Sequence, residues 1–201
     1  MSGARKIGLS LRGAMTALVT PFDERGGVDR RALARLVEWQ IDSGIHGLVP
    51  CGTTGEGATL SEEEKYEVVS VTVEAARGRV PIVAGCGTND TRTTLGGARQ
   101  AARAGAAALL VVTPYYNKPN ASGMVAHFEA VAGEAGLPVV VYNVPGRTGQ
   151  NLGTELTLRL ARIEGVAGVK EASGNLEQIA AVFTGTGLLS RKHARMSGSS
   201  R

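Results

Sequence analysis

Cysteine is scarce in this 201-residue chain, and the pair present excludes two classes of protein. Cys51 and Cys86 have no CxxC spacing and no His/Cys cluster beside them, so neither a structural zinc nor a disulfide framework is indicated. A reducing cytosol fits. Long apolar runs are lacking too. No stretch approaches the roughly 20 residues of a membrane span, and the basic residues 1–13 contain no continuous apolar segment of the kind a secretory signal needs. We expect a soluble, unprocessed chain with no membrane partner. Charge of one sign is also missing from most of the sequence. The net +4 comes from Arg191, Lys192, Arg195 and Arg201, in a final stretch without acids, which leaves residues 1–189 neutral. A nucleic-acid surface is therefore unsupported. Of the histidines before that tail, His46 precedes a strand and His127 lies within a helical pattern, so both read as packing or surface residues.

Glycine, by contrast, is abundant: 28 residues, about twice the usual share, punctuating apolar runs without forming a repeat. Many tight turns between strands and helices would use them. Residues 13–20 form an apolar run closed by Pro21, and a helix with Leu33, Leu36, Val37 and Ile41 at helical spacing opens near Asp29. Residues 47–50 lead into the loop Cys51-Gly52-Thr53-Thr54-Gly55-Glu56, and Ser61-Glu62-Glu63-Glu64 is a capping box before a helix over 66–76. Further strands are expected at 80–84, 108–113, 138–142 and 165–170, with helices at 91–104, 122–135, 154–162 and 176–183. Six alternations with short connections imply parallel strands and right-handed crossovers. An open doubly wound sheet would show a phosphate fingerprint in its first turn, and none is there; Gly85-Cys86-Gly87 is only a GxG, with Asp90 at the third glycine position. Polar loops follow strands two to six, and such loops gather at one mouth in a barrel. The expected fold class is α/β, a (β/α)8 TIM barrel of which about six βα units are present.

The strand ends offer a set of chemically capable side chains. Gly165-Val166-Ala167-Gly168-Val169-Lys170 reads as a buried strand whose alternation puts Val166, Gly168 and Lys170 on one face. Burial disfavours a lysine's charged form and prepares it to attack a carbonyl and form a Schiff base; the alternative is a strand-end lysine with its head in water. The Gly52-Thr53-Thr54-Gly55 turn offers backbone N–H groups and hydroxyls to a small carboxylate, or is a plain tight loop. Tyr142, on the strand next to Lys170, is either a phenol that passes protons to an imine or a core tyrosine bonded to backbone. Arg147 is a bidentate carboxylate fork or a surface cation. Cys51 adjoins the anion turn without a base to activate it.

Four motifs in order carry a resemblance over about residues 13–183: Gly52-Thr53-Thr54-Gly55-Glu56, Val112-Thr113-Pro114-Tyr115-Tyr116-Asn117, Tyr142-Asn143-Val144-Pro145-Gly146-Arg147-Thr148-Gly149 and Gly168-Val169-Lys170-Glu171-Ala172. The chain resembles the dihydrodipicolinate synthase family of pyruvate-dependent class I aldolases. The resemblance implies that Lys170 forms an imine with pyruvate, that Thr53, Tyr116 and Tyr142 relay protons, that Thr54, with Gly52 and Gly55, holds the pyruvate carboxylate, and that Arg147 receives L-aspartate semialdehyde. It implies no metal or organic cofactor, and a homo-oligomer, dimer or tetramer, in which Tyr116 acts across a tight dimer. The Thr-Thr pair and Arg147-Thr148-Gly149 favour the synthase over N-acetylneuraminate lyase; a 2-keto-3-deoxy sugar acid aldolase and an inactive fragment are the alternatives. Tyr115, Asn89 and Lys65 correspond to a lysine-effector site, where Lys65 replaces a frequent histidine and should weaken inhibition.

After Phe183 the family pattern of further βα units is not matched. We expect residues 1–189 to form the partial barrel and residues 190–201 to be a disordered tail arising from truncation or a shifted frame. The expected shape is a C-shaped, six-stranded, aggregation-prone barrel with Lys170 on an edge strand.

Overall fold

In the computed structural model, which describes residues 11–186, six parallel strands alternate with seven helices. The order is β1 (Met15–Ala17), α1 (Arg30–Asp42), β2 (Gly47–Val49), α2 (Glu62–Ala76), β3 (Val83–Gly85), α3 (Thr91–Arg103), β4 (Ala108–Val112), α4 (Ala121–Glu134), β5 (Val139–Asn143), α5 (Pro145–Thr148), α6 (Thr154–Leu160), β6 (Val166–Glu171) and α7 (Leu176–Gly185). The expected tail over 190–201 lies outside the described residues.

Side-chain oxygens set the starts of five helices. Asp29, Ser61, Asp90, Asn120 and Asn175 each accept a backbone N–H from the first turn, and Ser61 with Glu64 closes the capping box read in the sequence. That box starts α2 at Glu62, earlier than the 66 its apolar pattern suggests. The four-residue α5 is not among the helices expected from the apolar pattern; Pro145 at its first turn and the left-handed Gly149 after it are its sequence signals.

Strands β3-β4-β5-β6 form one ladder and β1-β2 another. A bridge between Leu48 and Ile82 joins them, with Leu48 N–H donating to the Pro81 carbonyl at 3.1 Å and Gly85 N–H to the Pro50 carbonyl at 2.9 Å. Pro50 and Pro81 accept at this seam but have no N–H to return, which limits the ladder there. The wall is an incomplete (β/α)8 barrel, with β1 and β6 at the ends of the strand order.

Alternation divides the apolar residues between two cores. Leu48, Ala84, Leu109, Val111, Val139 and Val141 face the helices, where Leu33, Val37, Met124 and Phe128 cover them. Val49, Val83, Leu110, Val140 and Tyr142 face inward. Every residue of β5 is buried, whereas no residue of β6 is. The expectation of a buried sixth strand is thus corrected: among the described residues β6 pairs only with β5, so one flank is open.

A second correction concerns its faces. Val139 pairs with Val166 but Val140 with Gly168, so Ala167 is an extra, bulged residue. Val166 consequently packs with the helix-side core, while Gly168 and Lys170 keep the inward face.

Candidate active site

Four neighbouring strand ends, those of β2, β3, β4 and β5, build the mouth. After β2 the chain turns sharply at Cys51, whose φ of 55° is left-handed. Its carbonyl is wedged between Gly57 and Gly85; a Cβ on either would collide with it. These glycines bring the β2 and β3 loops into contact, a closeness no larger residue permits. Thr20 Oγ1 donates to the Gly55 carbonyl at 2.7 Å and fixes the turn from the β1 side.

Gly55 N–H donates to Gly52 and Glu56 N–H to Thr53, so the turn is not a continuous row of free donors. The N–H groups of Thr53 and Thr54 make no hydrogen bond among the described residues, and both side chains are exposed. Two donors and two hydroxyls therefore remain for an anion.

A cavity of about 320 Å³ lies against this turn. Gly52 and Thr53 line it from β2, Gly85 to Thr88 from β3, Tyr142 from β5 and Arg147 from α5. Neither Asp nor Glu lines it, whereas Arg147 and Lys65 do. Cys51 and Cys86 form part of its wall. Burial pushes both thiols up to about 12, which keeps them protonated and poor as nucleophiles at neutral pH.

Lys170 lines a second cavity, about 480 Å³, inside the barrel with Met15, Leu110 and Val140. Tyr142 lines the first cavity and not the second. It pairs in register with Lys170, whose Nζ stands 4.2 Å from the Tyr142 ring centroid. The cation thus rests on the aromatic face. The Tyr142 hydroxyl makes no hydrogen bond to a described residue, so it is not the backbone-bonded core tyrosine of the alternative reading. Among the described residues no group of three His, Cys, Asp or Glu could hold a metal, and no helix is long and apolar enough to cross a membrane.

A sequence profile of the dihydrodipicolinate synthetase family matches residues 10–189. The chain belongs to this family. It is 51% identical over 176 residues to the 4-hydroxy-tetrahydrodipicolinate synthase of Maridesulfovibrio salexigens, covering 87% of this chain and 60% of that one. It is 52% identical over 167 residues to the synthase of Sphingopyxis alaskensis, covering 83% and 57%. The fold matches the chloride-inhibited dihydrodipicolinate synthase of Acinetobacter baumannii, solved with pyruvate, at a TM-score of 0.85 and 43% identity, covering 87% of this chain and 60% of that one. The synthase of Thermotoga maritima gives 0.84 and 43%, covering 88% and 60%. The chain spans about 60% of the length of the curated relatives it matches.

Within this dihydrodipicolinate synthetase fold, the residues predicted from sequence are only partly brought together. Gly52, Thr53, Tyr142 and Arg147 line one cavity, and Lys170 touches its Tyr142 wall from behind. Thr54 is exposed beside that cavity and Gly55 is buried behind the turn; neither is on the wall. Tyr116 is 89% exposed on a left-handed backbone with φ 67°, outside both cavities, and Tyr115 lines the smaller one.

Reading the sequence missed a cluster behind the β5 and β6 ends. Asn143 Nδ2 donates to both Glu171 carboxylate oxygens at 3.0 Å and to Asn151 Oδ1 at 2.9 Å. Gln178 Nε2 reaches Glu171 Oε2 at 3.1 Å, and Ser173 N–H reaches Oε1 at 2.8 Å. Burial alone would raise the Glu171 carboxyl, but the hydrogen bonds from Asn143, Ser173 and Gln178 outweigh it and hold the group below the usual carboxylate range.

Proposed function

We propose that the chain carries the pyruvate-activating machinery of a synthase that condenses pyruvate with L-aspartate semialdehyde, giving 4-hydroxy-tetrahydrodipicolinate for diaminopimelate and lysine biosynthesis. The observation that carries this reading is the Lys170–Tyr142 pair at the ends of two paired strands, with Nζ 4.2 Å from the ring centroid.

In the proposed mechanism the Lys170 amine adds to the pyruvate ketone and water leaves, forming an imine. Its protonated form withdraws electrons, a methyl proton departs, and the resulting enamine carbon attacks the aldehyde. Tyr142, next to Nζ, exchanges protons with the carbinolamine, and Thr53 and Tyr116 extend the relay. Thr54, Gly52 and Gly55 hold the pyruvate carboxylate, for which the two unbonded N–H groups of the turn are suited. Arg147 has no ion-pair partner among the described residues and faces the cavity, as a fork for the second carboxylate would. None of these steps calls for a metal or organic cofactor. The exposure of Tyr116 is consistent with its reaching a site in a partner copy, so the working form in this reading is a homo-oligomer. In this reading the protein works in the cytoplasm.

Borohydride reduction in the presence of pyruvate tests the first step. A stable adduct at Lys170, located by peptide mass mapping, is expected; folded protein with Lys170 unmodified would remove the reading. Turnover with aspartate semialdehyde, against none with N-acetylneuraminate or 2-keto-3-deoxy sugar acids, tests the choice of aldehyde.

A further inference from the structure

Two consecutive register pairs end the β5–β6 ladder: Tyr142 with Lys170, then Asn143 with Glu171. Alternation sends the first pair inward and the second outward. The inward pair carries the proposed chemistry, and the outward pair is bonded to itself and to two other elements. Asn143 is fully buried and Gln178 is 8% exposed. Besides the contacts already given, Asn143 Oδ1 accepts the Leu152 N–H at 3.1 Å, Asn151 Nδ2 donates to Gln178 Oε1 at 2.8 Å, and Gln178 Nε2 donates to the Leu152 carbonyl at 3.0 Å.

The cluster therefore ties the ends of β5 and β6 to the approach to α6 and to α7. Among the described residues β6 has one strand neighbour, and its register already slips at Ala167. A single ladder interrupted by a bulge does little to fix a long side chain at the strand's tip. The bonds around Glu171 supply a second fixation, one residue beyond Lys170 and on the opposite face.

We infer that Glu171 is a positioning residue which, bonded to Asn143, Ser173 and Gln178, holds the β6 end so that Lys170 stays against Tyr142. This rests on the proposed role of Lys170 as the imine-forming amine. The charge state matters to the cluster because the partners are donors: Asn143 Nδ2, Gln178 Nε2 and Ser173 N–H all point at the two oxygens. A neutral amide at 171 would present one NH₂ to these donors and could satisfy only part of them.

The test is the variant Glu171→Gln in the chain itself, followed by the rate of borohydride-trappable adduct formation across pyruvate concentrations. The expected result is a loss of about ten-fold or more in the rate at saturating pyruvate, since small misplacements of a reacting group are costly. The half-saturating pyruvate concentration and the final adduct yield should stay near the parent's, because the carboxylate turn on β2 is untouched. An unchanged rate overturns the inference, as does a fall in yield alone, which would report lost folded protein, or a change carried by half-saturation alone. If the parent chain forms no adduct, the proposed function fails by itself, and hydrogen exchange then decides the positioning role. Faster exchange in Glu171→Gln confined to peptides containing 170–172 and 178 supports it; unchanged exchange, or acceleration throughout the chain, refutes it.

Discussion

Strands β5 and β6 are neighbours in one ladder, carry the two side chains at the centre of the proposed chemistry, and are held in place by different physics. β5 is buried from Val139 to Asn143, with β4 on one side and β6 on the other. β6 is partly exposed along its length, bulged at Ala167, and paired on one side among the described residues. Tyr142 is thus placed by packing, with Val140 and Leu110 around it in the inner core. Lys170 is placed by a ladder and by polar bonds one residue further on. A strand end can be positioned without being buried, provided that its own outward residues are hydrogen-bonded to several elements.

Three experiments would sharpen or break this comparison. The largest contrast should come from matched truncations. Val141→Ala removes two methyl groups from a side chain 2% exposed and should cost about 2 kcal/mol in urea unfolding, whereas Val169→Ala on β6 should cost roughly half of that or less. Equal losses would show that packing holds both strands alike.

Acid should separate the regions next. His127 is buried between α4 and α3, with Nδ1 2.9 Å from Thr91 Oγ1 and Nε2 without a partner. Burial pulls its ring downward, partly opposed by the Asp90 charge. A ring whose folded value is depressed contributes stability that is full above the unfolded value of about 6.5 and is lost as pH falls through the folded value. Glu171 is also depressed, from a carboxylate reference near 4.3, so its contribution is full above that and lost only at lower pH. As pH falls, hydrogen exchange should therefore rise in α3 and α4 before it rises at the β6 end. The reverse order would mean that the Glu171 cluster is not what secures β6.

The smallest effect concerns two lysines. Lys65 reaches the cavity and is bonded to Glu62 at 2.8 Å, with 18% of its side chain exposed; Lys170 makes no ion pair among the described residues. In our reading, free lysine barely inhibits turnover, since Lys65 places a like charge where the effector ammonium would lie. Strong inhibition at sub-millimolar lysine, measured on active enzyme, would overturn this and show that Glu62 cancels the Lys65 charge.

Much of this architecture was legible in the chain before any coordinates. Six apolar runs, the Ser61–Glu64 capping box and the Gly-Thr-Thr-Gly turn report local physics, and each sits where that physics put it. Three features were not legible, for different reasons. The Ala167 bulge moves Val166 to the helix side because register is decided between strands, and strict alternation within one strand cannot see it. The Asn143, Asn151, Glu171 and Gln178 cluster joins positions that only the topology brings together. Nothing in the run from Val112 to Asn117 shows which of Tyr115 and Tyr116 faces the cavity; with a left-handed backbone at Tyr116, Tyr115 lines it and Tyr116 is turned outward.

The seam between β2 and β3 has a mechanical meaning. The β1–β2 pair and the four-stranded ladder meet through one bridge flanked by Pro50 and Pro81, so fewer backbone hydrogen bonds cross this line than hold the ladders on either side. The 320 Å³ cavity straddles the line, with Gly52 and Thr53 on one panel and Gly85 to Thr88 on the other. A change of angle at this crease would change the width of the mouth, and the Cys51 carbonyl, packed against Gly57 and Gly85, would limit how far the two panels could fold together.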